Sequence, residues 1–251
     1  GQRLAYKTQR LQQLTLDASL NNAQRGRVNL DAQGIQLGDT ELGRLTATLS
    51  GDQKQQRGEL QLQGPLLNSQ LAVAGTLDKG NWRGSLSRGE VQSGGQDWQL
   101  QQPASLLRLA SGQLSVGAHC WRSGSASLCG TEQRLLPHLK LNYQLSNLPM
   151  DSLAQWWPKD FEWQGQLNGK LQVDLPPSGP SGSLELDAGS GVWRIRDQQQ
   201  WLDFAYDSLR LSTQIRPQRI DTSLQLRGPA IGELAVQAQL DPRPASKPLS
   251  G

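Results

Sequence analysis

From Phe161 to Leu175 apolar and polar residues alternate without a break. Phe161, Trp163, Gly165, Leu167, Gly169, Leu171, Val173 and Leu175 hold the odd positions, and Glu162, Gln164, Gln166, Asn168, Lys170, Gln172 and Asp174 the even ones. Successive side chains of a strand point to opposite faces, so this period of two predicts extended chain with one apolar and one wet face. At about 3.3 Å per residue the stretch spans roughly 50 Å, beyond an ordinary strand; it is either one long strand or two strands bent at a glycine. The same alternation recurs in Leu14, Leu16, Ala18 and Leu20; Val28, Leu30 and Ala32; Leu45, Ala47 and Leu49; and Leu71, Val73, Gly75 and Leu77. It returns in Leu139, Leu141, Tyr143 and Leu145, in Leu184 and Leu186, and in Leu234, Val236, Ala238 and Leu240. Turn-forming clusters at Ser50–Asp52, Ser93–Gly95 and Pro176–Gly182 separate these runs.

Helical spacing is confined to Met150, Leu153, Ala154 and Trp157, between Pro149 and Pro158, and predicts one short helix near 150–157. Asp151 and Ser152 stand where free N–H groups of a first turn want polar partners. The fold class is therefore all-β, with about 16 to 20 strands and almost no helix to cover them. A sheet with one apolar face needs a second sheet, closure into a barrel, or a bound apolar ligand. The apolar set here is Leu, Val, Ala and Gly with few ionisable residues between, a lining suited to acyl chains. A sandwich or solenoid whose faces bury one another fits the same alternation.

Composition narrows the partners. The 251 residues carry 25 basic and 22 acidic side chains, a balance of +3 that gives no electrostatic case for nucleic acid. No apolar run approaches the roughly 18 residues of a membrane span, and Gly1–Arg10 lacks a signal-peptide pattern. The chain starts without Met and ends in the loop-like Pro242–Gly251, so residues 1–251 are expected to be a single elongated segment of a longer polypeptide, with 242–251 a flexible tail.

The run Leu148, Pro149, Met150, Asp151, Ser152, Leu153, then Trp156, Trp157, Pro158, then Phe161 to Leu175 with Gly165, Leu167, Gly169 and Leu171, resembles a recurrent passage of the TamB family, within the AsmA-like group of bridge-like lipid transport proteins. The preceding Ala118, His119, Cys120 and Trp121, closed by Ser127, Leu128 and Cys129, is similar to the same family. The resemblance implies a long sheet bent into a U, taco-like, with an apolar concave interior. It implies a periplasmic location as part of an inner-membrane-anchored protein of a Gram-negative bacterium, with the anchor in a segment absent here. It also implies phospholipid transport between inner and outer membranes, and outer-membrane assembly with a barrel partner of the TamA type. The residues expected to line a lipid groove are Leu71, Val73, Leu77, Leu139, Leu141, Tyr143, Leu145, Leu167, Leu171, Val173, Leu184, Leu186, Leu234 and Val236.

Cys120 and Cys129, with Gly124 between them as a turn residue, are the chain's two cysteines, and the count fits one disulfide. Two histidines, His119 and His138, complete a four-ligand set for zinc in principle; adjacent His119 and Cys120 would point to opposite faces of a strand, and no preformed spacing supports that site. Free thiols are the third possibility. No metal or other cofactor is expected. Catalysis finds little support: no Gly-x-Ser-x-Gly elbow opens a helix, Glu185 and Asp187 read as a solvated strand face, and Gly189, Ser190 and Gly191 precede a strand rather than a helix. Trp156, Trp157, Phe161 and Trp163 read as aromatic packing at a helix-to-strand junction. Arg25, Arg27, Arg83, Arg88, Arg194 and Arg196 read as solvated positions that would also suit headgroups along an open seam. Two functions follow. One is a non-catalytic lipid conduit; the other is a scaffold or chaperone that binds nascent outer-membrane strands by β-augmentation.

Overall fold

The structure, a computed structural model, describes residues 2–6, 9–21 and 25–241; the tail expected at 242–251 lies outside the described residues. The chain divides into two units, Gly1–Ser125 and Ala126–Gly251. Among the described residues there are 22 strands and one short helix, no helix being long and apolar enough to cross a membrane.

The first unit holds β1 (Gln2–Tyr6), β2 (Gln9–Leu20), β3 (Gly26–Leu37), β4 (Thr40–Gly51), β5 (Gln56–Gln63), β6 (Asn68–Asp78), β7 (Asn81–Ser93), β8 (Gln96–Leu100), β9 (Ala104–Arg108), β10 (Leu114–Val116) and β11 (His119–Ser123). β1 to β7 form an antiparallel meander, each strand on the one before. β7 then divides, pairing through Trp82–Leu86 with β9 and through Glu90–Ser93 with β8. A bulge at Ser87, whose hydroxyl donates to the Ala72 carbonyl, resets the alternation so that Leu86 and Gly89, three residues apart, both fall opposite apolar-face residues of β6.

The second unit holds β12 (Ala126–Gly130), β13 (Gln133–Leu136), β14 (Lys140–Pro149), the 3-10 helix (Met150–Trp156), β15 (Phe161–Gln164), β16 (Gln166–Asp174), β17 (Ser181–Asp187), β18 (Gly191–Asp197), β19 (Gln200–Tyr206), β20 (Ser208–Arg216), β21 (Arg219–Gly228) and β22 (Gly232–Leu240). β14, β16, β17, β20, β21 and β22 lie side by side, all antiparallel. Two excursions leave this sheet. The helix with β15 interrupts the path from β14 to β16, and the β18–β19 hairpin interrupts the path from β17 to β20; together they make a three-stranded sheet in the order β15, β18, β19.

The long alternating run is thus two strands bent at Gly165, whose φ of 152° is a value that favours glycine. β15 serves the small sheet and β16 the large one. The helix is 3-10 rather than α, since prolines at both ends leave room for only about two turns, where i→i+3 bonding is common. Its start has no side-chain cap; Ser152 donates to the Pro149 carbonyl at 2.6 Å instead of accepting from an N–H.

Buried apolar side chains are few: Ala32, Ala104, Ala126, Leu148, Met150, Ala188, Tyr206 and Leu226 among the described residues. Four are alanines, so no thick core separates two stacked layers. Gln133, 1% exposed, closes part of the gap between β13 and β14 by mimicking a strand: its amide donates to the Thr131 and Asn142 carbonyls and accepts from the Asn142 N–H.

Candidate functional site

Register turns the alternation into rows running across the strands. In the second unit one row reads Leu128, Leu145, Gly169, Leu186, Leu211, Leu224, Val236, each residue directly opposite the next. Beside it runs Gly130, Tyr143, Leu171, Leu184, Thr213, Thr222, Ala238, and then Leu141, Val173, Gly182, Ile215, Ile220, Leu240. Thr213 and Thr222 place their hydroxyls 3.2 Å apart, so each answers the other in an otherwise apolar row. Burial raises the pKa of the Tyr143 phenol and keeps it neutral in its ordinary range.

In the first unit the same construction gives Leu16, Leu30, Ala47, Leu60, Leu71, Gly89, and next to it Ala18, Val28, Leu49, Gly58, Val73, Leu86, Ala104. Leu49 has a strand on each side yet is 49% exposed, so no second layer covers it. Around it lies an apolar hollow of about 540 Å³, floored by Leu49, Gly58, Val73 and Leu77 and walled by Trp82. The Trp82 ring lies where Gly75 and Gly84 have no side chain: a Cβ at either would fall within 2.6 Å of it. Its indole N–H donates to Gln56 at 3.0 Å. Asp52 stands at the lip, its carboxyl held below the usual range by the N–H groups of Gln55 and Lys54.

The opposite faces are polar. Their hollows, of about 360, 480 and 510 Å³, lie between rows of amide and charged side chains such as Gln61 with Gln70, Lys170 with Glu185, and Gln214 with Asp221. Asp187 pairs with Arg210 at 3.1 Å and caps the Gly189 N–H, which accounts for one of the two β17 carboxylates as surface structure. Arg88 pairs with Glu90, and Arg194 bridges Glu162 and Asp203 while lying over Trp201. Such exposed pairs contribute little each.

Of the residues expected to line a groove, Leu141, Tyr143, Leu145, Leu171, Val173, Leu184, Leu186, Leu234 and Val236 share one face of the second unit, and Leu71, Val73 and Leu77 one face of the first. Leu139 lies just before β14, its carbonyl accepting from the Leu175 N–H. Leu167 belongs to a fourth row, beneath the small sheet. Leu209, Leu211, Ile215, Ile220, Leu224 and Leu226 stand in the same rows without being among the residues expected there, although Ser208–Arg216 and Arg219–Gly228 alternate as clearly as the other strands.

Cys120 and Cys129 are joined in a disulfide, so neither sulfur is available as a thiolate ligand. Among the described residues no group of three or more His, Cys, Asp or Glu side chains is placed to hold a metal ion. Reducing the bond, or replacing both cysteines by Ser, is expected to cost about 2.5 to 3 kcal/mol through the short loop it closes. Urea unfolding with and without reductant measures this; equal midpoints would refute it.

The family model described as TamB, N-terminal domain, matches residues 1–251. No solved structure matches the chain.

Proposed function

The chain belongs to the TamB family, matching its N-terminal domain over residues 1–251, and on that premise we propose that this segment is a non-catalytic conduit for phospholipid acyl chains. The reading is carried by one observation: in each unit apolar side chains stand in register across six or seven adjacent strands, and in the first unit mid-sheet Leu49 remains half exposed on that face. Each methylene moved from water onto such a surface gains about 0.8 kcal/mol, and repeated Leu, Val and Gly rows provide many equivalent positions rather than one deep site. Hydrocarbon is held and still slides. In this reading the apolar face is the inside of a U-shaped sheet in the periplasm, within an inner-membrane-anchored protein. Phospholipid passes between inner and outer membranes along it, and outer-membrane assembly proceeds with a TamA-type barrel.

The test is photo-crosslinking in cells, with a photoreactive residue at Leu49, Leu171 or Leu184 of the whole protein and controls at Lys170 and Glu185 on the polar face. Phospholipid adducts are expected at the first three positions and not at the controls. Adducts at none of the three would refute the conduit. The edge strand β22, which pairs only with β21 among the described residues, favours the second reading, strand capture by β-augmentation. Polypeptide adducts at β22 with no lipid adducts on the apolar face would establish that reading in its place.

A further inference from the structure

The small sheet in the second unit sits on one end of the apolar rows and buries apolar side chains there, whereas those of the three rows described above stay at least partly exposed. A fourth row, parallel to the three described, reads Leu148, Leu167, Ala188, Leu209, Leu226, Leu234, with Ala188 placed by its N–H bond to the Leu209 carbonyl. Leu148, Ala188 and Leu226 are 8%, 3% and 4% exposed, whereas Leu234 in the same row is 44% exposed. Ala188 and Leu226 form a core with Tyr206, against which Leu167, Leu209, Trp163 and Trp193 pack. The cover therefore reaches as far as β21 and stops short of β22.

Its attachment is specific. Tyr206, 1% exposed, receives the Trp163 indole N–H on its hydroxyl at 2.8 Å, and the Trp193 ring lies 5.2 Å from the Tyr206 ring. Gly191 makes room for the phenol, since a Cβ there would lie 2.3 Å from its oxygen. Gly228 lets the backbone at Ala205 and Tyr206 come down onto β21, a Cβ there falling 2.7 Å from the Ala205 carbonyl. Both excursions thus converge on one bolted contact. Burial raises the phenol pKa and keeps this bolt neutral in the ordinary range.

We propose that the β15–β18–β19 sheet is a retaining wall for hydrocarbon: it occupies the fourth row and confines acyl chains to the three rows beyond it, with Trp163 and Tyr206 as the positioning residues. This rests on the conduit reading. The direction of passage follows from the geometry. Along a strand the path ends at the wall, whereas across the strands, from β14 to β22, each row continues from one side chain to its opposite neighbour. The wall converts an apolar face, on which chains would lie at any angle, into a lane crossing the strands.

The wall and the cargo are tested separately. Single cysteines replace Leu209, in the row beneath the wall, and Ile215, in the row farthest from it on the same strand β20, in the oxidised chain whose native pair is bonded. Maleimide should label Leu209→Cys at least about tenfold more slowly than Ile215→Cys, because reaction at the covered row needs local opening. Adding Trp163→Ala should bring the two rates together, while Trp163→Phe, which keeps a ring, should preserve most of the difference. Equal rates without any Trp163 change would overturn the wall. Photo-crosslinkers at Leu211, Ile215 and Leu209 in cells should give phospholipid adducts at the first two and not the third. Adducts equal at all three would overturn the wall and leave the conduit standing. Adducts at none, with the labelling contrast intact, would refute the conduit and with it the wall's purpose.

Discussion

Leu171→Asp is expected to stop lipid passage while leaving the protein folded. Leu171 stands between Tyr143 and Leu184 in the central row, half-buried, with apolar neighbours on both sides along the row. A carboxylate there meets the hydrocarbon of a passing chain with no cation in the neighbouring rows of its face, among the described residues, to answer it; Lys170 points to the opposite side of the sheet. Burying an uncompensated polar group costs about 1 to 3 kcal/mol by protein measurements, and a charge costs more. At 1.4 kcal/mol per decade, adducts at Leu184 and Leu211 should fall by roughly 10- to 100-fold or more. When lipid is absent the same carboxylate can reach water, so the folded state loses little. Leu171→Met should pass lipid normally, and Lys170→Asp should change neither property by more than about 0.5 kcal/mol. Circular dichroism and crosslink yield, measured together, check this. Undiminished adducts in Leu171→Asp would show that hydrocarbon does not run over this row.

Much of this was legible because a strand's period is short and local. The wet and apolar faces of Phe161–Leu175 follow from fifteen residues read in order. Sequence left open whether that run was one strand or two, because the answer depends on Gly165 adopting a left-handed φ, which a glycine permits but does not announce. The rows were harder still. Alternation assigns Leu186 to a face but does not say that Leu211 stands opposite it, since between them the chain leaves for β18 and β19 and returns. Tyr206 illustrates the limit. Nothing in Trp201, Leu202, Asp203, Phe204, Ala205, Tyr206 marks the last residue as the one buried under a second sheet, because its partners Trp163, Gly191 and Leu226 come from three other strands. Helical spacing near Met150 located a helix without giving its type, since so short a run between two prolines satisfies both patterns.

Tyr206→Ala is expected to give the largest loss of stability of any single change in the second unit, about 3 to 5 kcal/mol, because it empties an aromatic core site and leaves the Trp163 N–H without its acceptor. Tyr206→Phe keeps the ring and loses only the acceptor, for about 1 to 3 kcal/mol. The loss should be local first. The small sheet joins the rest of its unit through the short 3-10 helix, Gly165, the residues around Gly189 and Asp207, and this one core, so hydrogen exchange in β18 and β19 should rise before that in β20 and β21. Alkali offers the same test without mutation. Burial raises the Tyr206 pKa above its unfolded value of about 10, so the stability that this phenol contributes is complete below that value and is lost as pH rises through the folded pKa. Wild-type protein should therefore lose exchange protection in β18 and β19 above about pH 10, and Tyr206→Phe, having no proton to give, should lose less over the same range. An identical alkaline profile in the two proteins would mean that the wall is held by something other than Tyr206.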